Sequence, residues 1–245
     1  MEALDQTTDG EAVPYRPHIG ESRQYVRDII LGVNDGLVSM FLLVAGVVGG
    51  GLNTKQILLT GVAGALAGAI SMAAGEYLAT KSQEEVFDRE MALEQEHLVY
   101  HRDREVAELR EMFADMHIHE EDLDTVTAAF ARSDDSLMAA MQALEFGVID
   151  SERRSPIMAM VASGLLFLLG SAPSVLPFVF VTSPNTGLVI AAIFATIGLF
   201  IVGALKTIVT DKPIIKSGAE NLVIALVGAA LSYVVGSAFN AFVAS

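Results

Sequence analysis

Residues 64–77, GALAGAISMAAGEY, decide how this chain is read. They close an apolar helix with a carboxylate, Glu76, and from there the chain runs on without Gly or Pro into a stretch dense in acids and histidines. A membrane span whose end flows into a string of hard oxygen and imidazole donors points to a conduit for a divalent metal cation.

The bulk numbers agree with a membrane protein. Of 245 residues, 52% are hydrophobic, and the mean hydropathy is +0.49, above what a water-soluble domain carries. The net charge of −15 is borne mostly by residues 81–154, where Glu84, Glu85, Glu90, Glu94, Glu96, Glu105, Glu108 and Glu111 crowd together. Such a segment repels nucleic acid and anionic lipid and attracts cations. There is no cysteine, so a bound metal must be held by Asp, Glu, His, Met or backbone oxygen. The polar, acidic N-terminus has no basic run before an apolar core and does not look like a secretory signal.

Stretches long enough to cross a hydrocarbon core, about 20 helical residues, occur at about 28–51, 56–79, 156–181, 187–209 and 219–243. The predicted fold class is therefore all-α: a polytopic membrane protein with five transmembrane helices and a cytosolic helical metal-binding domain inserted between spans two and three. The expected divisions are a cytoplasmic tail over 1–24, spans one and two over 25–80, the inserted domain over 81–153 and spans three to five over 154–245. Lys and Arg resist translocation, and fourteen of the fifteen, all but Lys55, fall on one side of this layout. The N-terminus and the large loop are accordingly cytoplasmic and the C-terminus outside.

The loop reads as helix. Thr80 to about Asp103 lacks Gly and Pro, so span two is predicted to extend about 35 Å beyond the membrane at 1.5 Å per residue. Shorter helices are expected near 104–116, 120–131 and 134–146, with Ser133 and Asp134 as caps for the last. Pro173 and Pro177 should kink or end span three. Gly61, Gly64, Gly68 and Gly75 give span two small residues at helical spacing, which suits close packing inside the protein more readily than a dimer seam. Lys206 and Glu220 are candidates for an ion pair between spans four and five.

Several side chains are candidates for chemistry. Asp35 lies about two turns into span one, with Asp28 and Ser39 on the same face; a carboxylate at that depth must line water, pair or bind something, the plainer role being a bond to Asn34 or a hydroxyl. Met72 and Glu76 project from one face of span two, a thioether one turn from a carboxylate, a pair that Fe²⁺ accepts more readily than Mg²⁺ or Ca²⁺. Beyond the span, Glu90, Glu94, His97 and His101 recur at four, three and four residues on one stripe. Glu105 and Glu108 continue the spacing in the next helix, and Met141 and Glu145 repeat the Met–carboxylate pair. The competing reading of the stripe is a solvated acidic face, and that of the methionines is core packing.

These residues resemble the vacuolar iron transporter family. Span one matches its D-x-I-x-G-x-NDGLVS pattern through Asp28, Gly32, Asn34, Asp35, Gly36, Leu37, Val38 and Ser39; span two matches its SMAAGEY segment through Ser71 to Tyr77. The resemblance covers nearly the whole chain after about residue 18. It implies a homodimer that moves Fe²⁺ out of the cytosol in exchange for protons. It implies that Asp35 and Met72 line the path, with Glu76 on the same helix face as Met72. It implies further that Glu94, Glu105, Glu108, Met141 and Glu145 bind metal in the inserted domain. His97 stands where a glutamate is expected, and Gln142 where a second methionine is common.

The expected function is export of Fe²⁺, with Mn²⁺ as a second cargo and Zn²⁺ or Co²⁺ as further candidate ions, by proton antiport across a lipid bilayer. The bilayer is expected to be a prokaryotic inner membrane, or a vacuolar membrane in a eukaryote. Neither an enzyme nor a nucleic-acid partner is expected. Two rival readings stay open: a membrane-anchored ferritin-like di-iron oxidase, because Glu94 to His97 spells Glu-x-x-His, and a metal-binding protein without transport.

Overall fold

In a computed structural model, the described residues are 22–147, 153–210 and 214–244. They form nine helices and no strand: α1 Ser22–Gly49, α2 Thr54–Tyr100, α3 Arg102–Asp115, α4 Glu120–Phe130, α5 Asp134–Leu144, α6 Pro156–Val175, α7 Pro177–Phe180, α8 Pro184–Thr210 and α9 Ile214–Val243. Five of these carry segments long and apolar enough to cross a membrane: Arg27–Gly49, Thr54–Tyr100, Pro156–Val175, Pro184–Leu205 and Asn221–Val243. The protein is an all-α polytopic membrane protein. Most of the N-terminal tail, and the side chains of Lys206 and Glu220, lie outside the described residues.

The α1–α2 turn shows how sequence sets local structure. Gly51 takes φ +79°, a left-handed conformation that glycine adopts without steric cost. Asn53 then caps α2, its side chain accepting from Lys55 N and Gln56 N at 3.1 Å while Gln56 accepts from Asn53 N at 3.0 Å, a reciprocal capping box. From there α2 runs 47 residues, about 70 Å, more than twice the thickness of a hydrocarbon core. It stops three residues short of the expected Asp103. His101 leaves helical geometry (φ −135°, ψ 25°), and its carbonyl accepts from Arg104 N at 2.8 Å to begin α3.

In the span bundle α1 is central. Leu37, Met40, Phe41, Val44, Ala45 and Val48 are buried against α2, α6, α8 and α9. Leu59, Ile70, Leu165, Leu169 and Phe239 are more than half exposed on the outside, the arrangement a lipid solvent favours. The α1–α6 crossing is a backbone contact: a Cβ on Gly36 would lie 2.2 Å from the Phe167 carbonyl oxygen, and one on Gly170 2.2 Å from that of Val33. Gly170→Val is therefore expected to abolish assembly of the spans, read as loss of monodisperse protein in detergent. The crossing is excluded if the variant purifies with wild-type thermal stability.

Among the span-two glycines, Gly61, Gly64 and Gly68 receive Val175, Leu43 and Phe167 from within the chain, whereas Gly75 faces open space. Span three ends at the prolines as expected: α6 stops at Val175, two residues past Pro173, and Pro177 opens the short α7. Two hydroxyls bond carbonyls around the proline: Ser171 Oγ donates to Phe167 O at 2.7 Å and Ser174 Oγ to Leu37 O of α1 at 3.4 Å.

Beyond the spans, α3, α4 and α5 fold with the C-terminal half of α2 around Leu98, Leu109, Phe113, Leu123, Leu137 and Met141. Ser133 caps α5 by accepting from Ser136 N at 3.1 Å. Asp134 instead pairs with Arg102, which also donates to Ala131 O at 2.7 Å and ties α3 to the α4–α5 turn.

Candidate metal centre

The end of α2 and the start of α3 face each other because of the break at His101. That reversal brings Glu94 and His97 opposite Glu105. Nδ1 of His97 stands 3.4 Å from a Glu105 carboxylate oxygen and 3.9 Å from one of Glu94. Donors about 2.1 Å from one ion stand roughly 3–4 Å apart, so this spacing fits a first-row divalent metal. The two carboxyls are 4% exposed and the imidazole 38%, so the group has one open side. Oε1 of Glu94 is buried without a hydrogen-bond partner, an orphaned acceptor of the kind a cation satisfies.

A cavity of about 220 Å³ opens over this triad. It collects Glu90, His101, Glu108 and Glu145 beside Glu94, His97 and Glu105, so seven of the sequence-selected residues meet at one place. Leu93, Arg104 and Phe146 complete its lining, and no periodicity argument had selected them. The His97 and His101 rings meet edge to face with centroids 6.2 Å apart. Met141 is not brought to the cavity. It is fully buried in the apolar core with Leu109 and Leu137, because the face of α5 that carries it turns inward while Glu145, at the helix end, turns to the carboxylates.

Crowding shows in the proton affinities. Burial, then the charges of Glu105 and Glu145, raise the Glu94 carboxyl from 4.5 to about 7. Glu145 is raised in the same direction by desolvation and by Glu108, Glu105 and Glu90. A folded-state carboxyl with a raised pKa holds its proton more tightly than the unfolded chain does, so the stability that these carboxyls contribute is full at low pH and is lost as pH climbs from about 4.5 to 7. Metal-free protein in chelator is expected to lose on the order of 2 kcal/mol over that window. Added divalent metal should reverse the loss at pH 7.5. Thermal unfolding against pH checks both, and a flat profile in chelator would show that the carboxyls are not coupled.

A second polar group lies where α1, α2 and α6 converge. Arg154, just ahead of α6, contacts Asp28 of α1 and reaches Glu76 of α2 at 3.7 Å. The sequence marks Asp28 only as a neighbour of Asp35 on one helix face, and Arg154 only as a positive charge. The signal present was the Arg153–Arg154 pair before span three, which had served only to orient the spans. Arg153 bonds Glu84 at 2.8 Å and Asp88 at 2.6 Å, and its guanidinium lies 5.1 Å over the Phe87 ring. Deeper in α1, Asp35 is partly buried and accepts a 2.7 Å bond from Ser39 Oγ, the local hydroxyl contact of the plainer reading. Met72 packs, half-buried, against a cluster of Met40, Ala65, Ala69, Phe167 and Val175.

Comparison with known proteins accords with this layout. Residues 26–237 match the VIT family. Over 210 residues the chain is 30% identical to "Vacuolar iron transporter 1" of Eucalyptus grandis, covering 86% of this chain and 84% of that one. It is likewise 30% identical over 208 residues to "Vacuolar iron transporter 2" of Oryza sativa subsp. japonica, covering 84% and 85%. "Vacuolar iron transporter" of Centaurea cyanus is 28% identical over 219 residues, 89% of each chain. This chain, with its five spans and its acidic cavity beyond the second, belongs to the VIT family.

Proposed function

We propose that this protein is a divalent metal transporter that moves Fe²⁺, and Mn²⁺ as a second cargo, out of the cytosol in exchange for protons. The observation that carries the reading is the cluster of Glu94, His97 and Glu105, in which one buried Glu94 oxygen has no hydrogen-bond partner. Carboxylate with imidazole suits first-row divalent ions better than alkaline earths. In this reading the α2–α5 unit is cytosolic, as the Lys/Arg distribution requires, and captures metal. The ion then enters beside Glu76 and passes Met72 and Asp35. Carboxylates along a low-dielectric path can hold protons on the return step, which avoids bare anions in the membrane.

We assign the working unit as a homodimer. Val86, Leu93 and Tyr100, spaced by sevens on α2, are 60%, 44% and 73% exposed. An apolar stripe of that period on a helix outside the spans favours pairing with a second copy. Transport rather than oxidation is favoured because a ferritin-like centre needs a second Glu-x-x-His, and the sequence has none.

The test is the purified protein in liposomes with an internal pH dye, challenged with Fe²⁺, Mn²⁺, Zn²⁺ and Co²⁺. Fe²⁺ uptake with a matching pH change is expected. Oxygen consumption without flux would assign the oxidase, and binding without either would assign a storage protein.

A further inference from the structure

Resting on the transport reading, we infer that Arg154 is a tethered cation that fills the entry position between Asp28 and Glu76 when no metal is there, and that a divalent ion enters by displacing it. The guanidinium bridges carboxylates from two different helices, one through Nη2 and the other through Nη1. All three side chains are shielded, at 19% exposure for Arg154, 13% for Asp28 and 23% for Glu76. Arg27 meets the other oxygen of Asp28 at 3.4 Å but is 68% exposed, so it counts as a solvated neighbour, not as an occupant.

Charge decides what can replace the guanidinium. Two carboxylates with one guanidinium leave one negative charge uncompensated, whereas a divalent ion in its place cancels both. A monovalent ion gains nothing over the cation already present, which is held by its own chain at high effective concentration and presents a planar fork to two carboxylates. The entrance therefore rejects monovalent ions by competition, and no narrow pore is needed for it. The pivot is fixed as well: Arg153 is fastened to Glu84, Asp88 and Phe87 of α2. Displacement can then be a swing of the Arg154 side chain alone, with the backbone ahead of α6 left in place.

A competitor that fills the position nine-tenths of the time weakens the apparent affinity about tenfold. In full-length protein in liposomes, Arg154→Gln is expected to lower the KM for Fe²⁺ by about that factor with kcat retained. It should also make uptake sensitive to K⁺ when K⁺ replaces N-methylglucamine at constant ionic strength, which the wild type resists. A KM that is unchanged or higher, or lower kcat at constant KM, would mark Arg154 as a structural anchor and overturn the inference. If Arg154→Gln does not fold, Arg154→Lys carries the test. Its compact ammonium keeps the charge but cannot span both carboxylates in the same way, so a KM below wild type supports the inference and an equal or higher one refutes it. Failure of both variants to fold would also assign a purely structural role. Absence of Fe²⁺ flux in the wild type would remove the transport reading itself; flux in the wild type with an unmoved KM in the variant removes only the role of Arg154.

Discussion

Asp35→Asn is expected to abolish metal flux and the proton movement coupled to it, a loss of about two orders of magnitude, or ~2.7 kcal/mol of barrier, in a protein that still folds. Asparagine keeps the size of the side chain, and its amide oxygen can accept the same 2.7 Å bond from Ser39 Oγ. What disappears is the negative charge that, in the proposed mechanism, offsets a cation in the low-dielectric interior. The neighbouring backbone contact at Gly36 is untouched, so the helix crossing survives. Monodisperse protein in detergent must be shown first, and then flux with an internal pH dye measured. Near wild-type Fe²⁺ movement with a matching pH change would make Asp35 structural and the mechanism wrong.

The second large effect is expected at the cavity. Glu94→Gln combined with Glu105→Gln should weaken Fe²⁺ or Mn²⁺ binding by more than a hundredfold, because each substitution removes a charge-assisted ligand worth roughly 1.5–3 kcal/mol. The same pair should raise the thermal stability of metal-free protein at pH 7.5, since it removes the like-charge crowding that lifts the Glu94 carboxyl to about 7. His97→Ala alone should cost about tenfold in affinity, as expected when a single neutral donor is lost, without that stabilisation. Calorimetry with unfolding curves separates these outcomes. Unchanged affinity in the double variant would mean that metal is held elsewhere.

The spans were legible because hydropathy alone fixes them: five apolar stretches in the sequence became five helices of span length. The length of α2 was legible for a similar reason, no breaker interrupting it before His101. Pro173 and Pro177 were legible as the end of span three, since α6 stops at Val175 between them; the last turn past Pro173 is held by its packing on α1 and by the hydroxyls of Ser171 and Ser174. The glutamate–histidine stripe could be read from periodicity within α2. Met141 could not be placed that way, since spacing to Glu145 says they share a helix and not which of them meets the core. The contact of Arg154 with Asp28 joins residues 126 positions apart, and no local pattern encodes it.

In the transport reading, the uninterrupted α2 would limit how fast the cavity can serve the membrane. From Glu94 to Glu76 the helix makes about five turns, so both lie on one face, about 27 Å apart along the axis. Between Glu90 and Glu76 that face carries Phe87, Gln83 and Thr80, and the carboxylates beside it, Glu84 and Asp88, are already held by Arg153. A continuous rod also has no joint at which the capture unit could swing down to the bilayer. Each ion must therefore leave the cavity completely and diffuse, and its residence time there becomes a ceiling on turnover. With association near 10⁸ M⁻¹s⁻¹, micromolar affinity releases about a hundred ions per second, and nanomolar affinity only about one in ten seconds. In the transport reading, the open side of the cavity and the raised proton affinity of Glu94 would both loosen the grip, so the unit would act as a fast-exchanging reservoir that enriches metal near the entrance without trapping it.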